Sequence, residues 1–372
     1  MHKFFFILID IIRKIILFVC CWSALSCFDN DAVTSEESLE TIPYAPQAYS
    51  PSLPSYFPNL LIPSDNPLTI EGITLGRDIF FDKILSANNS MSCSSCHHPE
   101  KAFTDGKKNS VGIDGVAGTR SSMSLVNIGF TKNGMFWDGR SKTLETQALL
   151  PVEDPIELHA KWPDIEERLQ NHKDYPTKFR QAFGIKTKSE IKKELVAKAL
   201  AQYQRAIISA DSKYDRVKQG KEKFTDLELI GLSLYIDDPL DDLPDAECHH
   251  CHQLDLATAD NYFNNGLQAA NTLNDFQDRG LGGFTGNIAE NGKMKATTLR
   301  NIFLSAPYMH DGRFSSIDEV LDHYNENFKN SPNKDALIHK LNLTPFHKEA
   351  LKAFLKTLTD TSYLQNPLIV KK

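Results

Sequence analysis

The chain has 372 residues, 41 % apolar and 24 % charged, an ordinary globular composition with room for about two domains. Its net charge of −7 excludes the basic footprint of a nucleic-acid binder. A mildly acidic surface suits a basic small-protein partner, and it is equally the ordinary route to solubility.

Lys3, Arg13 and Lys14 precede or open a short, mostly apolar run from Ile15 to Leu25. The run is too short to span a bilayer comfortably, so residues 1–26 read as an export signal. It ends Ser23-Ala24-Leu25-Ser26-Cys27. A small residue before a cysteine resembles the lipobox of bacterial lipoproteins, with Ala24 where leucine is usual. A lipid anchor at Cys27, a plain cleaved signal and an uncleaved anchor stand as alternatives. All three put the body outside the cytoplasm, in the periplasm or on a membrane facing it or the cell surface.

Residues 27–67 are rich in proline, serine and acidic residues and read as a tether and arm with little core of their own. An N-terminal domain is expected over 68–220 and a C-terminal one over 221–372, with Lys and Gly collecting near the boundary at 215–224. A helix is expected from Ser189 to Ser209. Thr187 and Glu190 form its capping box, and Ile191, Leu195, Ala199, Tyr203 and Ile207 line one face. A second capping box, Thr225 with Glu228, opens a helix through Tyr235. Ser316–Tyr324 and Pro345–Leu358 are amphipathic, the latter with Thr344 as cap and Pro345 at its first position. Alternating strand patterns are scarce, so the fold class is all-α. Long Gly/Asn-rich loops over 105–135 and 264–294 need something to wrap.

Seven cysteines occur: Cys20, Cys21, Cys27, Cys93, Cys96, Cys248 and Cys251. Three lie in the signal region. The other four form two Cys-x-x-Cys pairs and leave none for a disulfide framework, which is unusual in an oxidising compartment. Both pairs continue to histidine: Cys93-Ser94-Ser95-Cys96-His97 and Cys248-His249-His250-Cys251-His252. This is the attachment pattern of c-type haem. Two thiols three apart on a turn reach the two vinyl groups of one haem, and the next imidazole falls under the iron. One match could be chance or a zinc knuckle; two, far apart in an exported chain, point to two covalently bound haem c groups. A thioredoxin-type pair would want a βαβ context, and zinc would need the pairs to converge. His98, His249 and His250 read as solvated neighbours of the motif. Covalent haem also explains the loops, because its apolar surface lets a small helical domain bury a core.

Around these motifs the chain resembles the bacterial di-haem cytochrome c peroxidases and their MauG-type relatives. The residues are Leu75-Gly76-Arg77-Asp78-Ile79-Phe80-Phe81-Asp82 with Leu85-Ser86, then Phe136-Trp137-Asp138-Gly139-Arg140 with Gln147, Pro151 and Glu157. Thr298-Leu299-Arg300-Asn301 and Ala306-Pro307-Tyr308-Met309-His310-Asp311-Gly312 follow near the C-terminus. The resemblance spans roughly 68–360 and implies two cytochrome-c-like haem domains facing each other across Trp137. It implies that Trp137 carries electrons between the haems. Gln147, Pro151 and Glu157 would form the pocket over the haem of Cys93, Cys96 and His97. Glu157 would move the peroxide proton, since O–O cleavage needs a neutral leaving water. Taken alone, Glu157 is a surface helix residue, Trp137 a core residue and Gln147 a solvated one.

Two departures from the family matter. Members with a histidine cap on the resting peroxidatic iron carry it in a Ser-x-Gly-His run; here the run is Ser110-Val111-Gly112-Ile113. Isoleucine cannot ligate iron, so an open N-terminal haem is expected, as in MauG-type members. The family's Arg-Asn pair, whose asparagine helps hold a calcium ion, is Arg120-Ser121, which puts calcium in doubt. The sixth ligand of the haem at His252 is expected from Met309 or Met294, with Lys293 or an open site as the alternatives. Methionine would raise its potential and suit electron entry. Ordinary packing is the plain reading of each methionine, and His310 and His323 read as structural.

The resemblance thus implies reduction of hydrogen peroxide to water with electrons from a small redox protein, a cytochrome c or a cupredoxin. A MauG-type oxidase acting on a protein or small organic substrate, and a non-catalytic di-haem electron carrier, are the alternatives. Homodimer formation is left open.

Overall fold

The computed structural model describes residues 38–236 and 243–371. The expected export signal, Cys27 and the start of the arm lie outside them. Among the described residues no helix is long and apolar enough to cross a membrane.

The helices are α1 Ile70–Phe81, α2 Leu144–Glu153, α3 Trp162–Gln170, α4 Tyr175–Phe183, α5 Lys193–Ala206, α6 Lys213–Lys218, α7 Asp226–Ile236, α8 Cys248–Cys251, α9 Leu281–Thr285, α10 Ile317–Asp322 and α11 Pro345–Lys356. Two two-residue strands, β1 Tyr262–Phe263 and β2 Met294–Lys295, pair antiparallel. The fold is mostly helical, as the sequence implies.

Each half is built on one closely crossed helix pair. On α1, a Cβ added to Gly76 would lie 1.9 Å from the Ala199 carbonyl oxygen of α5, with Tyr203 next to it. On α7, a Cβ on Gly231 would lie 2.0 Å from the Ala350 oxygen of α11, with Phe354 next to it. Only glycine lets the backbones approach this closely. Each glycine stands the same number of positions before the first cysteine of its half, Cys93 or Cys248. The same scaffold is therefore used twice, each time presenting a Cys-x-x-Cys-His turn.

The first core gathers Ile73, Ile79, Phe103, Ile165, Phe179 and Tyr203; the second gathers Tyr235, Leu321, Leu351 and Phe354. The C-terminal tail, assigned by sequence to the second half, crosses back. Tyr363 and Ile369 join the first core. Tyr363 donates to the Pro99 carbonyl at 2.9 Å, and the Ile369 carbonyl accepts from Tyr203 at 2.8 Å. The arm is a strap on the body: Tyr49 N–H bonds Leu68 O, Phe57 is buried, and Tyr56 donates to Asp215 at 2.7 Å.

The expected helix from Ser189 is shorter. Glu190 closes the Thr187 capping box on a single 3₁₀ turn, Lys188–Glu190, and its carboxylate also takes the Lys186 N–H. Ile191 then extends (φ −70°, ψ 100°), and α5 begins at Lys193 and ends at Ala206. Leu195, Ala199 and Tyr203 stay on the helix, while Ile191 and Ile207 flank it. The Thr225–Glu228 box and the Thr344 cap are as expected, Thr344 accepting the His347 N–H at 3.2 Å. The helix expected to Tyr324 ends as α10 at Asp322 and passes into a π-turn, His323–Asn327. Such bulges frequently mark functional positions.

Candidate active site

The two Cys-x-x-Cys-His turns have matching geometry. His97 N–H bonds Cys93 O at 3.0 Å, and His252 N–H bonds Cys248 O at 2.9 Å. His97 Nδ1 pairs with the Phe103 carbonyl at 2.7 Å, and His252 Nδ1 with that of Thr297 at 3.0 Å. A carbonyl only accepts, so Nδ1 carries the proton and Nε2 presents its lone pair for a metal. Desolvation holds both imidazoles neutral, His252 down to about 4. It also pushes the thiols up, Cys96 to about 11 and Cys93, Cys248 and Cys251 to about 12. Reactive or zinc-binding cysteines need the opposite, a stabilised thiolate. A desolvated sulfur beside a neutral imidazole fits a thioether and an iron ligand. Among the described residues no group of three or more His, Cys, Asp or Glu converges on a metal position, so the pairs do not share a zinc site.

A cavity of about 830 Å³ opens against the first turn, within the ~300–1,000 Å³ range of cofactor sites. Cys93, Cys96, His97, Trp137, Gln147, Pro151 and Glu157 all line it. Gln147, Ala148, Pro151 and Val152 form one face of α2 by helical spacing. Pro151 has no N–H, so the Gln147 carbonyl loses its partner within the helix. After α2 the chain doubles back: Leu158 N–H bonds Pro151 O at 3.1 Å and Ala160 N–H bonds Val152 O at 2.8 Å. This turn carries Glu157 to the same wall. Burial, with Asp154 adding, pushes the Glu157 carboxyl up to about 7 against the pull of Arg140. Arg140 stacks on Phe136 at 3.5 Å.

The hairpin around residue 113 flanks this wall. Ser110, Val111 and Gly112 line the cavity, and Ile113 stands outside it with its N–H on the Glu157 carbonyl at 2.9 Å.

Trp137 touches both halves. Its indole N–H donates to Ser121 O at 2.9 Å, its carbonyl accepts from Lys295 of β2 at 3.0 Å, and its ring meets His310 edge-on at 6.4 Å. His310 is buried, its Nδ1 without a hydrogen-bond partner among the described residues and its Nε2 3.8 Å from Asp278, while His323 Nε2 pairs with the Asn265 carbonyl at 2.9 Å.

Around the second turn the candidate ligands separate. Met294 is buried in β2 opposite Phe263. Met309 has a left-handed backbone (φ 72°), and its sulfur accepts from Asn265 Nδ2 at 3.7 Å. The same amide donates to Tyr324 Oη at 3.1 Å. Burial pushes this phenol up to about 12, with Cys251 and Cys248 adding to the shift. Tyr324 thus shares the Asn265 amide with Met309. Sequence reasoning passed it over because, at helical spacing from Ile317 and Leu321, it reads as packing. His249 and His250 stack at 4.1 Å, and His250 and His339 both face Glu247, a surface cluster beside the motif.

Two haem-type attachment turns and an acid-lined cavity lie within the stretch that one family's model matches. The chain belongs to the di-haem cytochrome c peroxidase family. The family's model matches residues 70–223 and 226–366. Methylamine utilization protein MauG of Methylorubrum extorquens is 32 % identical, over 80 % of this chain and 80 % of that protein. Cytochrome c551 peroxidase of Nitrosomonas europaea is 29 % identical, over 77 % of this chain and 79 % of its own length. Among solved structures, a MauG-like protein associated with microbial copper homeostasis is 36 % identical with a TM-score of 0.77, over 87 % of this chain and 99 % of that one. The di-haem peroxidase BthA of Burkholderia thailandensis, 20 % identical with a TM-score of 0.68, shares the fold over 88 % of this chain and 94 % of its own. The chain is thus a peroxidase-type oxidoreductase, and membership in a di-haem family implies two c-type haems.

Proposed function

We propose that this di-haem peroxidase reduces hydrogen peroxide in the cavity at His97, with electrons that enter at His252 and cross through Trp137. Cys93, Cys96 and His97 would hold one haem, and Cys248, Cys251 and His252 the other. Tyr324 is the first candidate for the sixth ligand of the second haem: an oxygen donor on the π-turn whose hydroxyl meets the Asn265 amide. Met309 is the next candidate; its sulfur is engaged by Asn265. Met294, opposite Phe263 in β2, is the third.

Bound in these places, the haem irons supply the coordination site for peroxide and the route for electrons. The protein supplies the proton chemistry. The Glu157 carboxylate takes a proton from one peroxide oxygen and returns it to the other, so that the leaving oxygen departs as water. Its carboxyl near 7 suits both halves of that transfer. The Gln147 amide, on the same wall, orients the peroxide. One peroxide, two electrons and two protons give two waters.

The observation that carries this reading is the half-buried Glu157 carboxyl facing the His97 cavity. Stopped-flow mixing of the holoprotein with peroxide tests it: a rapid change of the first haem is expected in the wild type and a much slower one in Glu157→Gln. A small, positively charged redox protein, cytochrome c or cupredoxin, suits the net charge of −7 as donor. The basic and apolar residues ahead of Cys27 support export to the periplasm, with or without a lipid anchor there.

A MauG-type reaction, in which a protein or small organic molecule supplies the electrons, is favoured by Ile113 in place of an iron-capping histidine and by the MauG relatives. Steady-state assays with reduced cytochrome c separate the two. Rapid oxidation supports the cytochrome c peroxidase reaction, and negligible oxidation supports the MauG-type one.

A further inference from the structure

The family resemblance implies a calcium ion held with help from an asparagine whose place Ser121 takes. The residues present do not fit it. Calcium takes six to eight oxygen ligands, carboxylates prominent among them. Ser121 Oγ donates its proton to Met309 O at 3.0 Å, and Ser121 N–H donates to His310 O at 2.8 Å. The carboxylates at this place already hold a guanidinium. Arg120 reaches Asp138 Oδ2 through Nη1 at 2.6 Å and grips Asp278 with Nε and Nη2 at 2.8 and 2.7 Å. Arg140 adds a second positive charge on Asp138 at 3.2 Å.

We propose that Arg120 does the work of the ion: a cation carried by the chain ties Asp138, beside Trp137, to Asp278 in the second half, and positions Trp137 without calcium. The geometry is that of a strong pair. The contact with Asp278 is two-pronged, the form in which arginine binds carboxylate most specifically. The three side chains are only 20, 13 and 23 % exposed for Arg120, Asp138 and Asp278, so salt screens them weakly. Two carboxylates are balanced by two guanidiniums, and a divalent ion entering this neutral cluster would meet two like charges at close range. The backbone that follows is engaged too, because Ser121 O receives the Trp137 indole N–H. Arg120 therefore acts through Trp137 and touches no reacting atom in this scheme; it is a positioning residue.

The experiment uses the holoprotein. Wild type and Arg120→Ala, each treated with EGTA, are melted with and without added calcium. Arg120→Ala leaves two carboxylates with only Arg140 between them, so calcium is expected to raise its Tm and to leave that of the wild type unchanged. In parallel, the spread of oxidising equivalents to the second haem is followed after mixing with peroxide. Wild type is expected to be indifferent to EGTA, Arg120→Ala to be slower by roughly 10–100-fold, and Arg120→Lys to recover part of the loss. A calcium-dependent Tm or EGTA-sensitive transfer in the wild type overturns the proposal. So does wild-type transfer in Arg120→Ala. If Arg120→Ala fails to assemble with haem, Arg120→Lys decides by the same transfer rate. If calcium leaves both melting curves unchanged, the transfer rates decide. The melts do not depend on peroxide turnover, so a wrong reading of the chemistry and a wrong reading of Arg120 fail separately.

Discussion

The N–H of Ile113 donates to the carbonyl of Glu157 at 2.9 Å. The hairpin of Ser110, Val111 and Gly112, where the family resemblance implies a histidine ligand in some members, is thus pinned by its backbone to the acid. The side chain at 113 is therefore expected to set the resting state of the iron.

Ile113→His returns an imidazole to this hairpin. The expected outcome is loss of the high-spin ferric EPR signal of the first haem, replaced by a low-spin one. Its reaction with peroxide then becomes slow until the second haem is reduced. An unchanged high-spin signal would show that the hairpin cannot reach the iron.

Glu157→Gln removes the proton carrier and is expected to slow the peroxide reaction by roughly 10²–10⁴-fold. The active form is the carboxylate, so the wild-type rate falls as pH drops through about 7, and this limb disappears in the variant. The stability effect has a definite sign. The folded carboxyl lies above its ordinary 4.5, so keeping it in the fold costs stability as pH rises from 4.5 to about 7. Melting curves should show Glu157→Gln gaining on the wild type at roughly pH 8 relative to roughly pH 5.

Trp137→Phe keeps an aromatic ring but loses the N–H that bonds Ser121 O. Both haems should be retained, while transfer to the second haem slows by about tenfold or more, equivalent to ~1.4 kcal/mol of barrier. Stopped-flow traces at the two haems separate the steps.

Tyr324→Phe and Met309→Leu distinguish the candidate ligands of the second haem. With Tyr324 as ligand, the phenylalanine variant changes the spin state and reduction potential of that haem, and Met309→Leu leaves its spin state alone. The reverse result assigns Met309.

Arg300 and Asp215 form a fully buried pair at 2.7 and 2.8 Å, with both side chains 0 % exposed. Asp215 also accepts from Tyr56 of the arm. Asp215→Ala leaves a buried guanidinium unpaired and should cost about 3–5 kcal/mol in denaturant unfolding. Hydrogen bonds from Arg300 and the charge of Arg300 outweigh burial and hold the Asp215 carboxyl below its ordinary 3.8. Its stabilisation is present above that value and is lost as pH falls through the lower, folded value.

The parts of this molecule legible in sequence are those set by covalent spacing. Cys-x-x-Cys-His must form a turn to reach one haem, and Gln147, Pro151 and Glu157, singled out by the resemblance, are brought to one wall by the doubled-back chain after α2. Local capping chemistry also reads well, as at Thr344 and Thr225. Illegible were features made by tertiary contact. Nothing local says that the tail after Leu358 crosses to Tyr203 and Pro99, or that α10 relaxes into a π-turn at Tyr324. Gly76 and Gly231, at matched positions before Cys93 and Cys248, were a readable sign of the duplicated scaffold. It shows only when the two halves are compared with each other. The break at Ile191 arises because one carboxylate, Glu190, satisfies a tight turn that periodicity alone reads as the first turn of a helix.

The most direct test of the account is the EPR spectrum of the oxidised holoprotein at rest and after one equivalent of peroxide. A high-spin ferric signal beside a low-spin one is predicted at rest, with the high-spin signal lost rapidly on peroxide addition in the wild type and slowly in Glu157→Gln. Two low-spin signals, indifferent to peroxide, would mean that both irons are fully ligated and that the cavity over His97 is not a peroxide site.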